Sequence, residues 1–251
     1  VNISKTHPLV EMLWLTGGLM LIALVFYLSL GLLVDWAVEV IPTPAENWMG
    51  EKAAQQFPGA QSAELQQRLD GLIDKARIDS PLHGYSFKTT VMASSEVNAF
   101  ALPGGHIVVF SGLLEQLESE NELAMVLAHE LGHYAHRDHL RRLGRGFGVT
   151  VASMFFLGKD SFLTNFFSKT FLTFDSSYSR QQESAADKYG LTLLVARYGH
   201  AGGASDLFQR MNEQAGSKVP YLFASHPHPE DRIAALKALV RDKNYPQREI
   251  E

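Results

Sequence analysis

From Met12 to Val34 the chain reads MLWLTGGLMLIALVFYLSLGLLV, about 23 residues without a charged side chain. A helix rises about 1.5 Å per residue, so such a run spans the roughly 30 Å hydrocarbon core of a bilayer. It predicts a transmembrane helix. A cleaved secretory leader has an apolar region of only about 7 to 15 residues and ends at small residues, whereas DWAVE follows here. A buried helix of a soluble core is the other reading, but such helices seldom run this far uncharged. Trp14 and Trp36 stand near the two ends, where aromatic side chains anchor at membrane interfaces. Lys5 precedes the run, while Asp35, Glu39 and Glu46 follow it before Lys52. By the positive-inside rule this balance puts the C-terminal bulk of a single-pass protein outside the cytoplasm, on the periplasmic side of the inner membrane if the cell is bacterial. The first residue is Val, not Met, and any residues upstream would enter that balance.

The rest of the chain divides simply. IPTPAENWMG is a proline-bearing linker, which gives an N-terminal segment over 1–36, a linker over 37–59 and a single domain over 60–251. Leu65, Leu69, Leu72, Ile73 and Ala76 recur at helical spacing. Tyr85 to Ala93 alternates as a strand, with Phe87, Thr89 and Val91 on one face, and Asn98 to Phe110 reads as strand, Pro-Gly-Gly turn, strand. Ser119 and Glu122 form a capping-box pattern opening a helix that runs through His136. Further helical patterns cover 177–198, 203–215 and 229–242. The expected fold is α+β: a mainly helical domain with a small, mostly antiparallel sheet.

With 22 Lys and Arg against 27 Asp and Glu, the chain offers no basic block to track phosphates, so nucleic acid is not an expected partner. It has no cysteine and ten histidines, four of them between positions 129 and 139. A metal here must be held by imidazole and carboxylate. The chemistry concentrates in His129-Glu130-Leu131-Gly132-His133. Helical residues four apart leave the same face one turn apart, so both imidazoles can converge on one tetrahedral zinc, and Glu130 beside the first can take a proton from the water the metal activates. A catalytic zinc needs a third protein ligand. His139 lies six residues after His133, where the HExxHxxGxxH pattern would use it, but His136 occupies the place of that pattern's turning glycine. Glu183 competes: in Glu183-Ser-Ala-Ala-Asp187 both carboxylates share a helix face, so Glu183 can bind the metal while Asp187 accepts the outer N–H of a ligand imidazole. Ser184, Ala185 and Ala186 are small enough for that helix to approach the first closely.

Together, HELGH at 129–133, ExxxD at 183–187, NAFALPGG at 98–105 and SHPHPEDRI at 225–233 resemble metallopeptidase family forty-eight, the gluzincins that include HtpX-like, Ste-type CAAX prenyl, BepA-like and Oma-type endopeptidases. The likeness runs from about residue 60 to 240. It implies one zinc ion per chain held by His129, His133 and Glu183, with Glu130 as general base and Asp187 supporting a ligand. It also implies that the strand at Asn98, Ala99 and Phe100 borders the cleft and pairs with a polypeptide substrate bound as an extended strand, Asn98 being the contacting side chain.

The resemblance further suggests that His226 reaches the active site and stabilises the developing oxyanion. The same placement would let it occupy the fourth zinc position at rest, and a plain turn histidine is the third reading. Arg232, further along, would brace this loop or pair with a cleft carboxylate. Gly148 to Leu157 is apolar but too short to cross a membrane. Residues 155–174 are rich in phenylalanine and read as a lid, a bilayer-dipping patch or a core helical hairpin. The expected function is a membrane-anchored zinc endopeptidase acting on unfolded or membrane-proximal polypeptides. Its rival is a chaperone-like or scaffolding membrane protein with a structural zinc site and little turnover.

Overall fold

The structure is a computed structural model that describes residues 7–157, 178–214, 222 and 225–248. Helix α1 covers Pro8–Val40, capped by the His7 side chain, and only Val34 and Val38 on it are buried. Among the described residues it is the one helix long and apolar enough to cross a membrane. Helix α2, Thr43–Ala54, occupies the stretch that reads as a linker in sequence, and Pro44 fits its first turn, where no amide donor is needed.

The sheet explains why α2 forms. Strand β1 (Lys88–Met92) runs parallel to β3 (His106–Phe110), and β2 (Ala99–Leu102) pairs with β3 antiparallel, in the order β1-β3-β2. Ala60 adds an antiparallel bridge to Val91. Because strand side chains alternate faces, Ala99, Ala101, Ile107 and Val109 enter the main core, whereas Phe100, Leu102, Val108 and Phe110 form a second cluster. The second cluster would face water if uncovered. Ala53 and Ala54 of α2 and Phe57 just beyond it pack against that cluster, and α2 also contacts the Pro103–Gly105 turn between β2 and β3.

The other helices are α3 (Ala63–Ile73), α4 (Ser111–Leu114), α5 (Glu120–Ala135), α6 (Asp138–Leu157), α7 (Arg180–Tyr198), α8 (Asp206–Gln214) and α9 (Pro229–Asp242). Leu65, Leu69 and Leu72 of α3 are buried against the sheet and α5, as their spacing requires. Helix α5 is buried along nearly its whole length from Asn121 to Tyr134. The α5–α7 contact is backbone-close: a Cβ on Gly132 would lie 2.8 Å from the Ala186 main chain, and one on Gly190 2.9 Å from the His129 nitrogen. The two glycines therefore set how near the two chemistry-bearing helices come. Of the phenylalanine-rich stretch 155–174, α6 reaches Leu157 and residues 158–177 lie outside the described residues.

Candidate metal centre

Helix α5 opens at Ser119, whose hydroxyl accepts from the Glu122 amide at 3.3 Å. Only half of the expected capping box is present: the Glu122 carboxylate accepts from the Glu118 amide and pairs with Arg210. A full box stands instead at the start of α7, between Ser179 and Gln182. Those two helix starts set the register that points His129 and His133 from α5, and Glu183 and Asp187 from α7, into one buried space.

Four side chains meet there: His129, His133, Glu183 and His226. The Nε2 atoms of His129 and His133 are 3.1 Å apart, and His133 Nε2 lies 3.4 Å from Glu183 Oε1. His226 Nδ1 lies 3.1 Å from Glu183 Oε1 and 3.2 Å from His129 Nε2. For ligands about 2.0–2.1 Å from a tetrahedral zinc, the edges of the tetrahedron are about 3.3 Å, so the spacing suits such an ion. The proton arrangement points the same way. His129 Nδ1 faces Asp187 Oδ1 at 2.9 Å and His133 Nδ1 faces Asp138 Oδ2 at 3.0 Å. Each carboxylate fixes the proton on Nδ1, which leaves two Nε2 lone pairs aimed at each other. Lone pairs at that distance repel unless a cation or a proton lies between them.

Glu130 is 1% exposed, and its Oε1 lies 3.5 Å from His226 Nε2. Its Oε2 and His226 Nε2 are buried with no hydrogen-bond partner among the described residues. Burial pushes the Glu130 carboxyl above its ordinary value. Burial acts in the same direction on Asp187, but the charge and hydrogen bonds of Arg232, and then those of His129, outweigh it and hold the group at about 2. Asp187 thus stays an ionised acceptor for His129. Arg232, 5% exposed, donates to Asp187 at 2.6 and 2.8 Å, lies 2.7 Å from Glu183 Oε2 and reaches the His226 carbonyl at 3.4 Å. It therefore contacts both the His226 loop and the two carboxylates.

His139 is elsewhere: its Nε2 meets Glu46 Oε1 of α2 at 2.9 Å, and it is not among the four converging residues. Asn98 is buried beside the site, with its Oδ1 3.4 Å from the Ser225 hydroxyl, next to His226. Ala99 and Phe100 lie on β2, at the edge of the sheet, but the Phe100 ring faces Phe57 and Phe110 on the α2 side. Sequence reasoning missed Asp138 and Tyr178. Asp138 stands three residues past the end of α5, where Arg137 at φ 54 turns the chain back toward His133. Tyr178 stacks on the His133 ring at 3.8 Å and 15°. An acidic residue five positions after the second HExxH histidine, opening the next helix, was a usable signal for the first; nothing local marked the second.

The sequence model of Peptidase family M48 matches residues 59–240, more than half of the chain. Similar proteins include the mitochondrial metalloendopeptidase OMA1 of Arabidopsis thaliana, 31% identical over 160 residues, which are 62% of this chain and 32% of the relative. The metalloprotease YcaL of Escherichia coli is 30% identical over 169 residues, 62% of this chain and 66% of YcaL. A putative beta-barrel assembly-enhancing protease of Vibrio cholerae is 28% identical over 173 residues, 64% of this chain and 35% of that protein. The chain thus spans between about a third and two thirds of the length of these relatives. The matched region contains all four converging residues together with Glu130, Asp138, Asp187 and Arg232, and on that footing the chain belongs to Peptidase family M48.

Proposed function

We propose that the chain is a membrane-anchored zinc-dependent endopeptidase. Residues 60–251 form its catalytic domain, 1–36 its anchoring segment and 37–59 the connection. His129, His133 and Glu183 hold the metal. When bound, zinc supplies a Lewis acid that makes water nucleophilic near neutral pH and polarises a peptide carbonyl. Glu130, its carboxyl raised by burial, accepts the proton of the attacking water and returns it to the departing amine. Asp187 and Asp138 keep both imidazoles in the Nδ1–H tautomer, and Arg232 keeps Asp187 ionised.

At rest His226 would stand beside His129, His133 and Glu183 as a fourth donor to the metal. What supports this is its Nδ1 at 3.1–3.2 Å from the neighbouring ligand atoms. Moved aside, it remains within reach of the scissile carbonyl oxygen and can donate to it as charge develops. The substrate is an unfolded or membrane-proximal polypeptide. It pairs in extended form with the outer edge of β2 at Asn98, Ala99 and Phe100, through backbone hydrogen bonds that make little demand on sequence. In this reading helix α1 spans the membrane and the catalytic domain lies outside the cytoplasm; the uncharged run and the excess of acidic over basic residues just after it support both.

The observation that carries this reading is the convergence of two carboxylate-oriented imidazoles and one carboxylate beside a buried, partner-poor Glu130. A structural zinc site in a scaffolding protein is the second reading, favoured by the closure of the site, since Glu130 and His226 are each only 1% exposed. Glu130→Gln separates the two. Under the first reading, casein cleavage disappears while one zinc per chain is retained. Zinc-loaded wild type showing no hydrolysis that this substitution abolishes would overturn it.

A further inference from the structure

Helix α6 starts just beyond the HExxH helix, and its first turns are basic, with Arg141, Arg142 and Arg145. From Gly146 to Leu157 it carries no charge. It packs along α1 in the opposite direction: a Cβ on Gly144 would lie 2.8 Å from Val34, and one on Gly148 would collide with Leu30. Each turn onward in α6 therefore matches a turn backward in α1, into the uncharged run. Glycines four apart that let side chains of a neighbouring helix, here Val34 and Leu30, seat against a helix backbone are a packing device of helices in lipid, where small residues substitute for a hydrophobic driving force.

Two further observations fix the level and the surroundings. Asp35, the first charge after the run, lies 3.1 Å from Arg141 and 3.9 Å from Arg145, so the ionic groups of both helices gather at one height. Beyond it, Phe147, Val151 and Met154 are 61%, 45% and 43% exposed. Their i, i+4, i+7 spacing puts them on one stripe, about 75° round the helix from the glycine row. On the other flank of the α1–α6 contact the two helices border a groove of about 410 Å³ lined by Tyr27, Leu28, Leu32, Asp35, Arg145 and Val149. At about 1.5 Å per residue, Met154 lies about 15 Å beyond Gly144, half the thickness of a bilayer core.

We infer that the C-terminal half of α6 lies in the bilayer beside α1 without crossing it, with lipid hydrocarbon covering Phe147, Val151 and Met154. Arg141 and Arg145 stand at the headgroup boundary. This rests on α1 being a membrane span, and it adds a second contact that prevents the catalytic domain from swinging freely on its anchor. The start of α6, and with it Asp138 beside His133, is then held close to the headgroups, where membrane-proximal chain is available.

The absence of cysteine makes a direct test possible. Single-cysteine variants of the full chain at Leu19, Ile78, Phe147, Val151 and Met154 are labelled with an environment-sensitive fluorophore and reconstituted in phosphatidylcholine–phosphatidylglycerol vesicles. Quenching by doxyl lipids is then compared with quenching by aqueous iodide. The expected result is lipid quenching at 147, 151 and 154 as strong as at 19, shifting from shallow to mid-chain doxyl positions between 147 and 154, with iodide acting only at 78. If 19 is lipid-quenched while 147, 151 and 154 respond to iodide, the inference fails and the anchor stands. If 19 also responds to iodide, the anchor reading fails and the inference with it. Crosslinking of unlabelled wild type to diazirine-bearing acyl chains guards against perturbation by the label: adducts within residues 147–154 support the inference, and adducts confined to α1 overturn it.

Discussion

The two imidazoles of the HExxH motif are oriented by different carboxylates, and the two carboxylates are embedded differently. Asp187 belongs to a buried set with Arg232 and Glu183, whereas Asp138 is held by His133 and by the Gln182 amide at 2.8 Å. Losing either should free a ligand ring to rotate or change tautomer, which typically costs about 10–100-fold in metal affinity. The consequences for folding should separate them. Asp138→Ala is expected to weaken zinc binding in a chelator-competition titration and to lower the stability of the zinc-free protein by only about 1–2 kcal/mol, because neutral or half-exposed donors lose a partner. Asp187→Ala should weaken zinc binding and also lower the stability of the zinc-free protein by up to about 3–5 kcal/mol, because Arg232 then stays buried with Glu183 alone. Equal melting of the two zinc-free variants would contradict this division. His226→Ala should leave zinc bound by three residues but change the visible spectrum of the cobalt-substituted protein, as one nitrogen is lost from around the metal. An unchanged spectrum would remove His226 from the fourth position.

At the scale of elements, periodicity and caps in the sequence locate most helices to within a few residues. The pattern over 229–242 returns as α9 at Pro229–Asp242, and Leu65 to Ala76 returns as α3, which stops at Ile73. Helix α2 was not legible, because its reasons are tertiary: it covers the second face of the sheet and buries Glu46. That carboxylate accepts from Tyr85 at 3.0 Å, meets His139 at 2.9 Å and pairs with Arg137 at 2.8 Å, tying the segment after α1 to the turn that follows α5. Burial tends to raise its pKa, but the contacts with His139, and then Arg137 and Tyr85, prevail and bring it from 4.5 down to about 2. A carboxyl lowered in the folded state stabilises above its unfolded pKa and loses that contribution as pH falls through the folded one. The stability gap between wild type and Glu46→Ala, read by chemical denaturation, should therefore be constant above about pH 5 and close progressively between 4.5 and 2. A gap independent of pH across that window would show that Glu46 acts by packing alone.

Across the whole molecule, the site joins parts of the chain that only the fold brings together, since His226 is 97 residues from His129. The pairs His129/His133 and Glu183/Asp187 were legible because their spacing, four residues within α5 and four within α7, is a property of single helices. How the site is covered was not: Tyr178 over His133, Ser225 against Asn98 and the burial of Glu130 depend on which loops fold back over α5 and α7. The same division predicts how the protein should respond to losing zinc. Helices α5 and α7 are locked by backbone contact at Gly132 and Gly190 and by the apolar residues around them, none of which needs a metal. The Ser225–His228 loop, by contrast, is tied down by the contact of His226 with Glu183, by Asn98 and Arg232, and by backbone bonds to Tyr178 and Leu222. Because a ligand that binds only the folded state stabilises it by about 2.7 kcal/mol at a hundred times its Kd, chelation should lower Tm. Hydrogen exchange should then rise first in residues 225–232, with amides of α5 between Ala124 and Leu131 remaining protected. Uniform loss of protection through α5, α7 and the loop would mean instead that the metal holds the helix pair together and that the close approach at the two glycines is its consequence.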